Sequence, residues 1–457
     1  MVAKAEIEKL NLSISGHALT ASDASYNEAR QVHNGMIDKR PEVIVQCLGA
    51  SDVVRAVQFA REHRLEIAVR GGGHNVSGRA SVDRGLMVDL SRMRGVTVDP
   101  DARRATAQGG ATWGTFNREA QVFGLGTTGG VISSTGVGGL TLGGGLGWTM
   151  GRFGMSVDNV VSAQVVTADG RVLTASKEHN PDLYWAVRGG GGNFGVVTSL
   201  EFDLHQIGMV NGGLAAHPIS AARDVLRKYR DLTRSLPDDM TLFGALVHAP
   251  DGSGAKLAAM AVCHSGPAAR AEKELEPVKS FGTPAMVHIG PMPYSVMNTV
   301  LDAGFPRGAR NYWKSSFLNE LTDPAIDVMV RQFEACPSPM SGIVLEHFHG
   351  KVTRIPVDAT AYPHRQVGFN LVVSGQWTDP KDDQKNIKWA RDSFSAMSPF
   401  MRKSQYVNYM DDEALGQDAV LQAYGPNYAR LSSIKAKYDP DNVFHINANI
   451  KPSSARA

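Results

Sequence analysis

GLGTTGGVISSTGVGGLTLGGGLGWTMGRFG, residues 124–154, holds 13 glycines in 31 positions. Glycine loses more backbone entropy on folding than any other residue, so a run of it needs a reason: positive φ, or close approach of backbone to a bulky ligand. Tight turns between strands would explain any single pair. They do not explain three clusters in the first 195 residues: this belt, Gly71-Gly72-Gly73, and the run from Gly189 to Gly192. The clustering points to a large ligand held against bare backbone.

The flanking sequence is α+β in texture. Ser51-Asp52 reads as a cap on the amphipathic stretch VVRAVQFAREHR, with Val53, Val57 and Ala60 at helical spacing. The apolar strand Ile67-Ala68-Val69 then runs into Arg70-Gly71-Gly72-Gly73-His74-Asn75. Leu86 to Leu90 and Val96 to Val98 are strand-like, and a hairpin is expected around Ala168-Asp169. Gly190, Gly192 and Gly195 spell one literal GxGxxG. A dinucleotide fingerprint needs a strand before that motif and a helix after it, so that a pyrophosphate meets the helix N-terminus. Here the helix LYWAVRG precedes and the strand VVTSLEF follows, so that assignment fails.

Composition bounds the function. Hydrophobic residues make up 42% and charged residues 20%, as in an ordinary globular protein. Lys+Arg 47 against Asp+Glu 45 leaves a net charge of +2, with no electrostatic grip on nucleic acid or anionic lipid. Cys47, Cys263 and Cys336 are too far apart for a disulfide framework or a CxxC zinc site. No apolar run approaches the ~20 residues that cross a bilayer, and the first residues lack the apolar core of a secretory signal, so a cytoplasmic location is expected. After about residue 208 glycine thins. Strand-like segments at Leu242–His248, Lys256–Cys263, Ser341–His349 and Val367–Trp377 alternate with helical stretches at Ser220–Leu232, Ala268–Glu276 and Asp323–Glu334. The last of these opens with Asp323-Pro324, read as an N-cap and a first-turn proline. This is the pattern of an antiparallel sheet backed by helices, a second domain.

Four motifs, in order, carry a resemblance: VRGGGHNVSG (Val69 to Gly78), TGVGGLTLGGGLG (Thr135 to Gly147), DLYWAVRGGGGNFGVVTSLEF (Asp182 to Phe202), and Asn408-Tyr409 followed by YDPDNVFHINANI (Tyr438 to Ile450). Together they resemble the berberine-bridge-enzyme-like branch of the PCMH-type, or vanillyl-alcohol-oxidase, FAD-linked oxidases, and most of all its bacterial 6-hydroxy-D-nicotine-oxidase type. The resemblance implies an FAD-binding domain over residues 1–208, a substrate domain over 209–394, and a C-terminal segment, 395–457, returning to the FAD domain. It implies cofactor contacts from Arg70, Gly71, Gly72, Gly73, Asn75, Thr135, Gly136, Gly138, Gly139, Asp158, Asn159, Gly195, Val197, Asn408 and Asn447. His74 matches the histidine that the family bonds covalently to the flavin 8α carbon. Bicovalent members also carry a cysteine four residues before the first glycine of GVGG; here that residue is Ile132, so a single link through His74 is expected. The residue before GVGG, Thr135, matches the position that governs access of O₂.

In many members the tyrosine of the NY pair is the catalytic base, which here is Tyr409. A tyrosine of pKa ~10 needs a lowered value or concerted transfer to serve near neutrality. Gln405 to Tyr409 reads as a strand, in which Asn408 and Tyr409 point to opposite faces. In Glu346-His347-Phe348-His349 both histidines share a strand face, but no third metal ligand accompanies them, so no metal site is expected. Tyr312, His347, His349, Trp377 and Tyr406 are candidate walls of a substrate pocket. The expected function is an FAD-dependent oxidase that takes hydride from a small organic alcohol or amine and passes electrons to O₂, giving H₂O₂. An NADPH-dependent reductase of the same flavin fold and a flavin-containing drug-binding resistance protein are the alternatives.

Overall fold

The computed structural model describes residues 2–411, 413 and 416–453. The chain is α+β and builds three main sheets. The first places Leu86–Asp89 between Val43–Gln46 and Ile67–Arg70, all parallel, with His17–Leu19 antiparallel at the edge. Every residue of Leu86–Asp89 is buried, as a central parallel strand covered on both faces must be. The helix Ala50–Glu62 covers one face through Val53, Ala56, Val57 and Ala60. Its N-cap is Gly49, not Ser51-Asp52: Asp52 lies in the first turn and accepts from the N–H groups of Ser15, Gly16 and Leu48, each at 2.9 Å.

The second sheet is antiparallel, in the order Val96–Asp99, Arg104–Gln108, Val196–Asp203, Val160–Val166, Val172–Ser176. Its last pair is the hairpin expected around Ala168-Asp169. The third has seven antiparallel strands, in the order Met286–Pro293, Met209–Pro218, Lys256–His264, Met240–His248, Gly342–Phe348, Gly368–Trp377, Arg310–Leu318. Helices Ala222–Thr233, Ala268–Lys279, Asp323–Glu334 and Asp383–Met397 bury one of its faces through residues such as Tyr229, Leu275, Phe333 and Trp389.

The opposite face decides where the site lies. It presents Phe243, Cys263, Phe317 and Phe348 to Leu146, Trp148, Met150 and Met155 of the glycine belt. The belt is therefore clamped between the seven-stranded sheet and the two N-terminal sheets. The C-terminal helix Tyr428–Tyr438 returns to the N-terminal core, where Leu431, Ile434 and Tyr438 pack with Trp185 and Val187. A fully buried Lys435 fastens it, donating to the carbonyls of Asn193 at 2.7 Å and Phe444 at 2.9 Å and to Asp439 at 2.6 Å.

Candidate active site

The three glycine clusters and the C-terminal segment meet around one cleft that is open to solvent. Gly71, Gly72, Gly73 and His74 form one wall, and Thr135, Gly136, Gly138 and Gly139 the other. The two walls touch: a Cβ at Gly72 would fall on the backbone of Gly136, and the reverse. At Gly139 an added Cβ would meet nothing within 4 Å, so its backbone faces open space. Asn75, Gly195, Val197, Asn408, Tyr409, Tyr424 and Asn447 also line it. Bare backbone over such a length supplies N–H donors and a flat surface that side chains would block, which suits a pyrophosphate joined to a large ring system. The residues present fit FAD.

His74 borders the cleft with its Nε2 2.8 Å from Ser134 Oγ, and its ring is stacked on His33 at 3.9 Å. Burial, with the nearby His33 and Arg307, pushes its pKa down to about 3, so the imidazole is neutral at physiological pH. Ile132 lines the cleft; Cys47, Cys263 and Cys336 are buried and do not.

Three expected cofactor residues lie outside this lining. Arg70 turns back to the Ala29 carbonyl at 2.5 Å and to Asp89 at 3.8 Å. Asp158 forms a buried two-point ion pair with Arg365, at 2.7 and 2.8 Å, and accepts from Met155 N–H at 2.8 Å. Asn159 donates to the Phe153 and Met155 carbonyls at 3.1 and 2.8 Å and meets His205 at 2.7 Å. Asp158 and Asn159 brace the end of the belt from behind, and Arg70 fastens the strand that leads into Gly71–Gly73.

The segment Val407–Tyr409 is a 3-10 turn, not a strand, so both Asn408 and Tyr409 reach the cleft. Asn408 Nδ2 donates to the Leu140 carbonyl and to Tyr406 Oη, each at 2.9 Å. Tyr406 is fully buried behind the belt, where its hydroxyl accepts from Gly145 N–H at 2.8 Å. Tyr409 donates to Glu346 Oε1 at 3.0 Å, and Asn370 Nδ2 donates to Glu346 Oε2 at 2.6 Å. Burial raises the Glu346 pKa to about 7, while its two hydrogen bonds lower it by less. Burial and then the Glu346 charge hold the Tyr409 phenol well above its usual value. The arrangement can move a proton from a group at Tyr409 Oη onto Glu346 without forming a free phenolate.

Glu346 is the residue that sequence reasoning missed. Strand alternation separates it from His347 and His349, but only the assembled sheet shows which face meets the belt. The histidines lie elsewhere, stacked on each other at 5.1 Å, and His349 reaches toward the Pro237 carbonyl at 3.4 Å. Burial pushes His347 down to about 3 and His349 also below its ordinary value. Among the described residues no group of three His, Cys, Asp or Glu side chains is placed to hold a metal. Tyr312 binds Glu413 Oε2 at 2.8 Å and accepts from Arg391 at 3.1 Å. Trp377 Nε1 donates to Asp383 at 2.8 Å. The seven-stranded sheet and the loop before its last strand contribute Phe305, Asn311 and Trp313 instead. Trp313 meets Phe305 and Tyr409 edge-on, each at 5.8 Å.

The chain matches the profile of the "FAD binding domain" family over residues 41–176 and that of "Berberine and berberine like" over residues 405–451. It is 31% identical to an FAD-linked oxidoreductase of Dictyostelium discoideum over 90% of this chain and 89% of that one. It is 29% identical to (R)-6-hydroxynicotine oxidase of Paenarthrobacter nicotinovorans, over 97% and 98%. Among solved structures, 6-hydroxy-D-nicotine oxidase from Arthrobacter nicotinovorans superposes with a TM-score of 0.88 at 28% identity, covering 97% of this chain and 99% of that one. The cleft, the bare-backbone walls and these full-length likenesses agree: the chain belongs to the berberine-bridge-like family of FAD-linked oxidoreductases.

Proposed function

We propose that this protein is an FAD-dependent oxidase, working in the cytoplasm, that takes hydride from a small organic alcohol or amine and returns the electrons to O₂ as H₂O₂. FAD supplies the hydride acceptor when bound, held between the Gly71–Gly73 and Gly136–Gly139 segments and joined to the protein by one bond through His74. The observation that carries the reading is the Tyr409–Glu346 pair, which sets a proton acceptor in the wall of a cleft suited to a flavin. Hydride loss from an alcohol or amine carbon requires the adjacent O–H or N–H proton to leave. Tyr409 Oη takes that proton while handing its own to Glu346. Asn370 holds the receiving carboxylate in place.

On the substrate side, Phe305, Trp313, Val131 and Ile132 line the cleft beside Tyr409. Screening the purified holoprotein for H₂O₂ release against sugars, cyclic amines and phenolic alcohols tests the reading, and stopped-flow reoxidation should outpace that of free flavin. Reoxidation no faster than free flavin would remove O₂ as the acceptor. Acid precipitation should leave the pellet yellow, and His74→Ala should release all flavin to the supernatant.

A further inference from the structure

We infer that Ser134 is a positioning residue for covalent attachment: it engages Nε2 of His74 and so leaves Nδ1 as the nitrogen free to bond the flavin. The inference rests on the His74 linkage proposed above. A neutral imidazole carries one N–H, and a serine hydroxyl can pair with Nε2 whichever nitrogen holds it, so in either form Nδ1 is the nitrogen left unengaged. Ser134 Oγ is the only side-chain hydrogen-bond partner of His74 among the described residues, and it lies 2.8 Å from Nε2. With the proton on Nε2 and donated to Ser134, the Nδ1 lone pair is free. A serine hydroxyl accepts as readily as it donates, so one residue can serve both before and after attachment.

Both members of the pair are held firmly. Ser134 sits in the segment between Gly130 and Gly136, which is tied down at several points. Ser133 gives its N–H to Asp302 Oδ1 at 2.8 Å and its hydroxyl to Asp302 Oδ2 at 2.5 Å. The Ser133 carbonyl accepts from Gly114 N–H at 2.7 Å, and the Thr135 carbonyl from Trp113 N–H at 2.9 Å. The His74 ring plane is set by the His33 stack, only 23° from parallel. His33 is fixed in turn, its N–H donating to the Gly73 carbonyl at 3.0 Å and its carbonyl accepting from Gly308 N–H at 2.9 Å. The His33 stack fixes the ring plane, and within that plane a half-turn flip would put a ring carbon in place of Nε2, so the Ser134 hydrogen bond alone selects which way round the ring sits.

The step balances as follows. The Nδ1–C8α bond forms and one C–H of the flavin methyl group breaks, its electron pair staying on the flavin. O₂ takes that pair with two protons, one from the methyl group and one from Nε2, and leaves as H₂O₂. Nε2 is then a bare acceptor, and Ser134 turns its O–H toward it. Burial and the neighbouring Arg307 disfavour a charged ring, which helps the Nε2 proton to leave.

The experiment uses the full chain produced without flavin and mixed with saturating FAD. Covalent flavin is read as fluorescence in the acid-precipitated pellet over time. Ser134→Ala should slow its appearance about tenfold or more, the loss of one positioning hydrogen bond. Ser134→Thr, which keeps a hydroxyl, should stay within about threefold of the wild type. Ser134→Ala within about threefold of the wild type, or Ser134→Thr as slow as Ser134→Ala, overturns the inference. Loading is tested separately in a His74→Ala background, where Ser134→Ala should leave the FAD dissociation constant unchanged. A weaker constant there would make Ser134 a binding residue and also overturn it. If the wild type itself sheds all its flavin in acid, the linkage falls and takes this inference with it. That failure shows in the wild-type pellet alone, apart from any Ser134 variant.

Discussion

Tyr409 is held protonated by burial and by the carboxylate beside it, so it cannot act as a standing phenolate. Its usefulness lies in the pairing with Glu346. Tyr409→Phe keeps the ring's packing and should slow anaerobic flavin reduction by roughly 10²–10⁴-fold, the usual cost of losing a positioned general base. Reoxidation by O₂ should be unchanged. Tyr406→Phe is the control, because its hydroxyl serves Gly145 and Asn408 behind the belt and should leave reduction within about tenfold. Glu346 must be ionised to receive the proton, and burial raises its pKa to about 7. Reduction should therefore be slow below that pH and rise as pH passes through it. Glu346→Gln, measured across the same range in the stopped flow, should flatten the rise; a persisting limb near pH 7 would assign it to another group. The place of Tyr409 beside the cleft was legible because the NY pair precedes a recognisable tail. Glu346 was not, since period-two alternation sorts residues onto two faces but does not say which face meets the flavin domain.

The glycines at the crossing of the two walls do work that no other residue can. Gly72→Ala or Gly136→Ala puts a methyl group onto the opposing backbone, so the walls must part. Each should lower FAD loading, read from the ratio of flavin to protein absorbance, and should lower the melting temperature as well. An alanine variant with full loading would show that the two segments can slide apart at little cost. The helix that begins near Asp323 illustrates the limit of local signals. Asp323-Pro324 reads as its cap, yet Thr322 holds that place, in extended backbone, with its side chain accepting from Ala325 N–H. Thr322→Ala should cost about 1 kcal/mol in chemical denaturation, whereas Asp323→Ala should not remove a cap. Strands Met209–Pro218, Met286–Pro293 and Arg310–Leu318 escaped sequence reading altogether. The first carries Gly212-Gly213 and the second closes with Gly-Pro-Met-Pro, turn chemistry that tertiary pairing overrides. Without the third, the alternation that turns Asn311 and Trp313 toward the cleft and Tyr312 away from it had no frame.

At the scale of the molecule, the two halves are joined by contacts that no local pattern announces. Asp158 of the belt region and Arg365 between the fifth and sixth strands of the large sheet form an ion pair with almost no exposure on either side chain. Removing one partner strands the other's charge in the interior, so Asp158→Asn should destabilise by about 3–5 kcal/mol. Urea unfolding checks this, and an effect below about 1 kcal/mol would place water beside the pair. The overall α+β architecture was legible from glycine clustering and the later alternation of strands and helices; the long-range pairings depend on residues some 200 positions apart. That distance also governs the order of events at the ribosome. Chains emerge N-terminus first, and the cleft takes its walls from as early as His33 and as late as Ala448. A nascent chain thus carries two glycine-lined half-sites that stay open until the segment around Asn447 and Ala448 has emerged, so the cleft is finished by the last-made of the residues that line it.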